Sequence, residues 1–88
     1  MSDKKRILVV DDEPDFVKAM RIILESNNYE VTVASDGQEG LNLARSLRPD
    51  LIVLDLMLPK MDGYKVCRFL NFDEKFREIP VIMLTDRG

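Results

Sequence analysis

Four short apolar stretches alternate along the chain with segments whose apolar residues have helical spacing. The strand-like stretches cover residues 4–10, 29–34, 50–55 and 79–84. Three of them carry almost continuous apolar runs, which are typical of parallel strands buried on both faces. Residues 29–34 alternate apolar with polar residues, which indicates a strand with one better-buried face, at an edge of the sheet.

Three intervening segments repeat apolar residues at the spacing of one helix face. The positions expected to face inward are Phe16, Ala19, Met20, Ile23 and Leu24 in the first helix, Gly40, Leu43, Ala44 and Leu47 in the second, and Val66, Cys67, Phe69 and Leu70 in the third. Phe72 and Phe76 are expected to anchor the charged segment 71–78.

Residues that favour helix ends support these boundaries. Pro14 suits the first turn of the first helix, and Asn28 suits a left-handed cap at its end. Asp36, followed three residues later by an acidic side chain, has the capping-box spacing, and Pro49 stops the second helix. Asp62 is placed to cap the third helix.

The order β-α-β-α-β-α-β predicts one open α/β domain with a parallel sheet and right-handed crossovers. Ligands of such sheets bind at the carboxyl ends of the strands. Asp11, Asp12, Asp55 and Thr85 follow or end three of the predicted strands. We therefore expect these side chains to converge at one edge of the sheet.

Composition narrows the possible chemistry. The chain has 88 residues, 45% of them hydrophobic, a net charge of −3, no histidine and one cysteine. Histidine-dependent triads, histidine-ligated zinc and an internal disulfide are thereby excluded. The small net charge does not argue for a nucleic-acid partner. No apolar run approaches the roughly 20 residues of a membrane helix, so we expect a cytoplasmic protein that binds neither membranes nor nucleic acid directly.

Carboxylates that meet at one point repel each other unless a cation or a proton intervenes. With no histidine or multi-cysteine ligand set, Mg²⁺ or Mn²⁺ is the expected metal. An aspartate screened by such a metal can attack a phosphoryl group and form an acyl phosphate. Asp55, at the end of a very apolar strand, is the candidate nucleophile, and the hydroxyl of Thr85 could bind the transferred group.

Three motifs at these positions resemble those of the receiver domain of two-component response regulators. They are Val-Val-Asp-Asp-Glu at 9–13, Asp-Leu-Met-Leu-Pro-Lys-Met-Asp-Gly at 55–63 and Pro-Val-Ile-Met-Leu-Thr at 80–85. The resemblance implies a flavodoxin-like sheet of strand order 2-1-3-4. It implies Asp55 as phosphoacceptor, Asp11, Asp12, Asp55 and the Met57 carbonyl as Mg²⁺ ligands, and Thr85 as the switch hydroxyl. The implied phosphoryl donor is a histidine of a separate sensor kinase.

The resemblance also implies that residues 1–88 form one receiver domain without its last strand and last two helices. The strand lysine that contacts the phosphoryl group in similar domains would then be missing, and output would be impaired. Asp86, where the family usually has a small residue, would crowd an incoming phosphoryl group. The fourth strand would be uncovered, which predicts dimerisation or exchange of elements through it.

Two other functions fit parts of the pattern. A Mg²⁺-dependent phosphohydrolase of the haloacid dehalogenase type also uses a nucleophilic aspartate after its first strand, but residues 11–14 lack the Asp-x-Asp spacing of that family. A structural fragment could retain the receiver core without signalling. The leading interpretation is a phosphoacceptor switch rather than an enzyme with turnover.

Overall fold

The computed structural model describes residues 4–55, 58 and 63–84, which form one four-stranded parallel sheet flanked by helices. The strands are β1 (Arg6–Val10), β2 (Glu30–Ala34), β3 (Leu51–Asp55) and β4 (Val81–Leu84), and the helices are α1 (Pro14–Ser26), α2 (Gly37–Leu47) and α3 (Gly63–Phe72). The strand order β2-β1-β3-β4 confirms the predicted flavodoxin-like topology. β2 lies at one edge, as its alternating sequence predicted.

Two side-chain hydrogen bonds cap the start of α2. The carboxylate of Asp36 accepts a hydrogen bond of 2.8 Å from the backbone N–H of Glu39. The Glu39 carboxylate in turn accepts one of 2.9 Å from the backbone N–H of Ser35, one residue earlier than in the usual reciprocal box. At the other end of α2, Arg48 adopts a left-handed conformation with φ 50° just before Pro49. The capping prediction for Asp36 is confirmed.

Asn28 has φ 69°, as expected for a left-handed residue after α1. At the start of that helix Pro14 occupies the first turn, and the Glu13 side chain accepts a hydrogen bond of 3.2 Å from the backbone N–H of Asp15. The two ends of α1 therefore agree with the sequence-based boundaries.

The sheet separates two apolar clusters. One side joins β1 and β3 to α2 and α3 through the buried residues Leu8, Val10, Ala34, Leu41, Ala44, Ile52, Leu54, Val66, Leu70 and Phe76. The other side is smaller and packs Met20 and Leu24 of α1 against Ile7, Val9, Val31 and Val53. The first helix thus lies on one face and the other two on the opposite face, as right-handed crossovers require. The predicted burial of Phe76 is confirmed.

α2 approaches β1 closely because residue 40 is a glycine. A Cβ built on Gly40 would lie 2.8 Å from Cγ1 of Val10, which is shorter than a normal van der Waals contact. The inward stripe of this helix is Gly37, Gly40, Leu41 and Ala44. Leu43 and Leu47, which were expected to be buried, are only half-buried. The buried face of this helix therefore includes Leu41, with the small residues Gly37, Gly40 and Ala44 beside it.

Two of the inward positions predicted for α1 are wrong. Ile23 is 56% exposed, and Ala19 is also exposed. The helix packs on the sheet through Met20 and Leu24, and the two exposed residues lie to one side of that row. Apolar residues at helical spacing thus define a stripe wider than the face that the sheet covers.

The same error affects two phenylalanines of α3. Phe69 is 45% exposed and Phe72 is 80% exposed, although both were expected to be buried. Val66 and Leu70 centre the contact face of this helix and are almost fully buried. The phenylalanines are displaced from that face, so the sheet and α2 do not cover them.

β4 forms the second edge of the sheet, and it pairs only with β3 among the described residues. Ile82 and Met83 are about half exposed. Val81 and Leu84 are half-buried, so the expected exposure of this strand is present at its two central residues only. Association through the strand stays a prediction. No helix in the described ranges has the length and apolar character needed to cross a membrane.

Candidate metal and phosphoacceptor site

Two neighbouring strands end in carboxylates at the same edge of the sheet. β1 and β3 pair in parallel, with Val10 opposite Leu54. Asp11 directly follows Val10, and Asp55 directly follows Leu54. The register therefore places Asp11 beside Asp55, with Asp12 next to both, because parallel strands present their carboxyl ends at one edge.

The three aspartates form one cluster. One carboxylate oxygen from each of Asp11, Asp12 and Asp55 lies within 4.8 Å of the corresponding oxygens of the other two. Asp11 is buried, Asp55 is half-buried, and Asp12 is exposed. The predicted convergence of these residues is thus present. Met57, Asp62, Thr85 and Asp86 lie outside the described residues.

Two hydrogen bonds hold Asp11 in place, one made by its backbone N–H and one by its carboxylate. Its N–H donates a hydrogen bond of 3.0 Å to the carbonyl of Ala34, which extends the β1–β2 ladder by one residue. Its Oδ1 accepts a hydrogen bond of 2.9 Å from the N–H of Glu13. The second bond is an Asx turn, in which an aspartate accepts from the backbone two residues further on. The turn fixes the side chain in the orientation that faces the cluster.

Burial raises the pKa of the Asp11 carboxyl above its ordinary value of 3.8. The hydrogen bond from the Glu13 N–H lowers this pKa, because it stabilises the carboxylate. The negative charges of Asp55, Asp12 and Glu13 raise the pKa further. Asp11 is therefore a carboxylate whose ionised form is disfavoured until a positive charge is brought to it.

Three carboxylate oxygens at this separation fit the ligand preferences of a hard divalent cation such as Mg²⁺, which binds few carboxylates and retains several waters. The contribution of Glu13, whose backbone N–H orients Asp11, was not predicted from the sequence. Every aspartate has an N–H two residues further on, so the sequence held no specific signal for this Asx turn.

Comparison with known proteins identifies similar chains. A family model described as response regulator receiver domain matches residues 7–88. The DNA-binding dual master transcriptional regulator RpaA of Synechocystis is 52% identical over 83 residues, which are 94% of this chain and 34% of that protein. The alkaline phosphatase synthesis transcriptional regulatory protein PhoP of Bacillus subtilis is 49% identical over 81 residues, which are 92% of this chain and 33% of that protein. The chain spans about a third of the length of these curated relatives.

Solved structures share the fold closely. The receiver domain of the sensor histidine kinase PA1611 from Pseudomonas aeruginosa has a TM-score of 0.90 and 34% identity, and the match covers 96% of this chain and 69% of that one. That crystal structure is described as having a magnesium ion coordinated in the active site cleft. The receiver domain of a signal transduction histidine kinase from Syntrophus aciditrophicus has a TM-score of 0.89 and 38% identity, over 96% of this chain and 64% of that one.

Proposed function

The chain belongs to the family of response regulator receiver domains, and from that premise we propose that Asp55 accepts a phosphoryl group from a sensor histidine kinase in a Mg²⁺-dependent reaction. Receiver domains of response regulators are signalling modules. The observation that carries the proposal is the convergence of Asp11, Asp12 and Asp55 within 4.8 Å at the carboxyl edge of the sheet. A lone aspartate at a strand end would not support it.

Asp11, Asp12 and Asp55 would hold the metal through carboxylate oxygens, and the Met57 carbonyl is the further ligand that we propose. When bound, Mg²⁺ would neutralise the carboxylates and the oxygens of the phosphoryl group. The raised pKa of Asp11 supports this assignment, because a buried carboxylate among like charges favours a cation. The magnesium described in the PA1611 receiver domain supports the choice of metal.

In the proposed transfer, a carboxylate oxygen of Asp55 attacks the phosphorus of a phosphohistidine. A new P–O bond forms, the P–N bond breaks, and the imidazole leaves and takes up a proton from water. The product is an acyl phosphate on Asp55, which water later hydrolyses to aspartate and phosphate. The hydrogen bond from the Glu13 N–H would orient the Asp11 carboxylate beside the attacking group. We propose Thr85 as the hydroxyl that binds the transferred phosphoryl group.

We propose that the chain acts as a cytoplasmic switch without turnover. Two relatives of high identity carry names of transcriptional regulators, one of them described as DNA-binding. These names support a transcriptional output for a longer protein of this kind, with DNA contact made outside residues 1–88. Self-association or element exchange through β4 is a separate prediction, supported by the exposure of Ile82 and Met83 at the sheet edge.

The test combines a phosphodonor with intact-protein mass spectrometry. The chain is incubated with acetyl phosphate and Mg²⁺, and we expect a mass gain of one phosphoryl group that disappears when EDTA replaces Mg²⁺. Asp55→Asn should show no gain. Asp50→Asn is the matched control, because Asp50 precedes the same strand at the opposite end of the sheet, where its carboxylate accepts a hydrogen bond from the Arg6 N–H.

Three outcomes would contradict the proposal. They are no mass gain in the wild-type chain, a gain that persists in Asp55→Asn, and a gain that is independent of the metal. Continuous release of alcohol from a phosphate ester would instead favour the phosphohydrolase alternative.

A further inference from the structure

Two phenylalanines of α3 lie at the surface on the side that faces α2. Phe72 is 80% exposed, which is the highest value among the large apolar side chains that the structure describes, and Phe69 is 45% exposed. Both side chains border one shallow surface that Arg45 of α2 also lines. We call this surface the α2–α3 patch, and it consists of Arg45, Phe69, Phe72, Asp73, Glu74 and Lys75.

The exposure of these phenylalanines follows from the helix geometry. Val66 and Leu70 point into the core and are almost fully buried. Phe69 and Phe72 are successive members of an i, i+3 row displaced to one side of that contact face. The packing of α3 against the sheet is therefore complete without them. Large exposed aromatic side chains of this kind mark interaction surfaces when they are contiguous and rimmed by polar groups.

The charges around the phenylalanines balance. Arg45 and Lys75 are positive, and Asp73 and Glu74 are negative. The Asp73 carboxylate accepts a hydrogen bond of 3.0 Å from the backbone N–H of Lys75. Within the described ranges neither Arg45 nor Glu74 forms an ion pair. The Lys75 ammonium also has no ion-pair partner among the described residues, so the patch offers both positive and negative groups to a partner.

We propose that the α2–α3 patch is an isologous interface through which two copies of this chain associate. A two-fold axis places the same patch on both subunits, so it demands a self-complementary surface. With the axis near the phenylalanines, Phe69 and Phe72 of each copy pack on their counterparts, and Arg45 of one copy pairs with Glu74 of the other. A partner of strongly acidic or basic character would find no net charge to match.

The patch is small, so the dimer is weak. A standard stable interface removes about 800 Å² per partner from water, and two phenylalanines with four charged neighbours supply less. The patch lies at the carboxyl ends of α2 and α3, away from the aspartate cluster. Association through it is therefore independent of the phosphoacceptor function. The exposed edge of β4 is the competing surface for self-association, and it is made of only four residues.

Sedimentation equilibrium of the 88-residue chain over a wide concentration range tests the proposal. We expect a monomer–dimer equilibrium in the wild-type chain. Phe72→Ser should raise the dissociation constant about tenfold or more, because it removes the most exposed aromatic ring from the centre of the interface. Ile22→Ser is the matched control, since this residue is 57% exposed on α1. It should not change the dissociation constant by more than about twofold.

Charge reversal provides a second test, because nonspecific hydrophobic association would not respond to it in the same way. Arg45→Glu alone and Glu74→Arg alone should each weaken the dimer several-fold, and the double variant should return to within about twofold of the wild-type value. Thermal unfolding at low concentration shows that every variant is folded. A monomer at all concentrations overturns the proposal. So does a dimer that Ile82→Ser disrupts and Phe72→Ser does not, since that result assigns the interface to β4.

Discussion

At the residue scale, the surroundings of Asp11 act in opposite directions on the ionisation of its carboxyl group. The backbone N–H of Glu13 stabilises its ionised form, whereas burial and the charges of Asp12, Asp55 and Glu13 oppose ionisation. A fold that only needed an apolar strand end would not place a carboxylate here. The cation site that we propose would explain the position, and this proposal makes a measurable prediction about stability.

Asp11→Asn should stabilise the metal-free chain at pH 7. Because the folded pKa of Asp11 lies above its unfolded value, the associated stability is present below the unfolded pKa and is lost as pH rises through the folded pKa. The asparagine removes that loss, keeps the acceptor for the Glu13 N–H, and should raise the melting temperature by about 4 to 8 °C for each 1 kcal/mol gained.

Thermal unfolding of both chains in EDTA at pH 7 and at pH 4 measures this effect. The difference in melting temperature should shrink at pH 4, where the wild-type Asp11 is more fully protonated. A variant that is less stable than the wild-type chain at pH 7 would show that the charge at Asp11 is already compensated.

At the scale of single elements, the ends of the helices were more predictable from the sequence than the faces that the helices bury. Pro14, Asn28 and Asp36 act through their own backbone neighbourhood, so their roles were readable locally. The burial of Ile23 and Phe72 depends on how far a neighbouring layer extends, which no local pattern contains. The spacing of these residues correctly predicted that they lie on helices, but it wrongly predicted that they are buried.

The cap of α2 should contribute measurably to stability. Asp36→Ala removes the acceptor for the Glu39 N–H and should lower the free energy of unfolding by about 1 kcal/mol. Urea denaturation gives this value. Ser46→Ala, an exposed substitution near the other end of the same helix, is the control and should change the free energy by less than about 0.5 kcal/mol. Equal effects of the two substitutions would contradict the assigned cap.

Two substitutions in α3, one at a buried and one at an exposed residue, should differ strongly in their effect on stability. Leu70→Ala creates a cavity against the sheet and should lower the free energy of unfolding by about 2 to 5 kcal/mol. Phe72→Ala, two residues further along, should change it by less than about 0.5 kcal/mol when measured at low protein concentration. A large loss of stability in Phe72→Ala would mean that this side chain is buried, as the sequence alone suggested.

At the scale of the whole molecule, the crossover topology brings distant residues together. Asp11 and Asp55 are 44 positions apart, yet the parallel pairing of β1 with β3 sets them side by side. This convergence was predictable from the order of elements, because parallel strands align their carboxyl ends. The separation of the carboxylate oxygens was not predictable, because it depends on the strand register. The Asx turn at Asp11 has a local spacing, but that spacing does not fix the backbone geometry that the turn needs.

The assembled cluster predicts stabilisation by the metal. At a free Mg²⁺ concentration about 100 times its dissociation constant, the free energy of unfolding should rise by about 2.7 kcal/mol. Asp12→Asn should reduce the gain at the same Mg²⁺ concentration, whereas Asp50→Asn should leave it unchanged. Thermal unfolding against Mg²⁺ concentration measures both. A shift of equal size in all three chains would indicate nonspecific screening rather than a site.

The most direct measurement locates the phosphoryl group. After reaction with acetyl phosphate and Mg²⁺, borohydride reduces an aspartyl phosphate to homoserine, and peptide sequencing by mass spectrometry then identifies the position. We expect homoserine at position 55 and unchanged aspartate at positions 11, 12 and 50. Homoserine at another position, or none in a chain that binds Mg²⁺, would contradict the assignment of Asp55 as the phosphoacceptor.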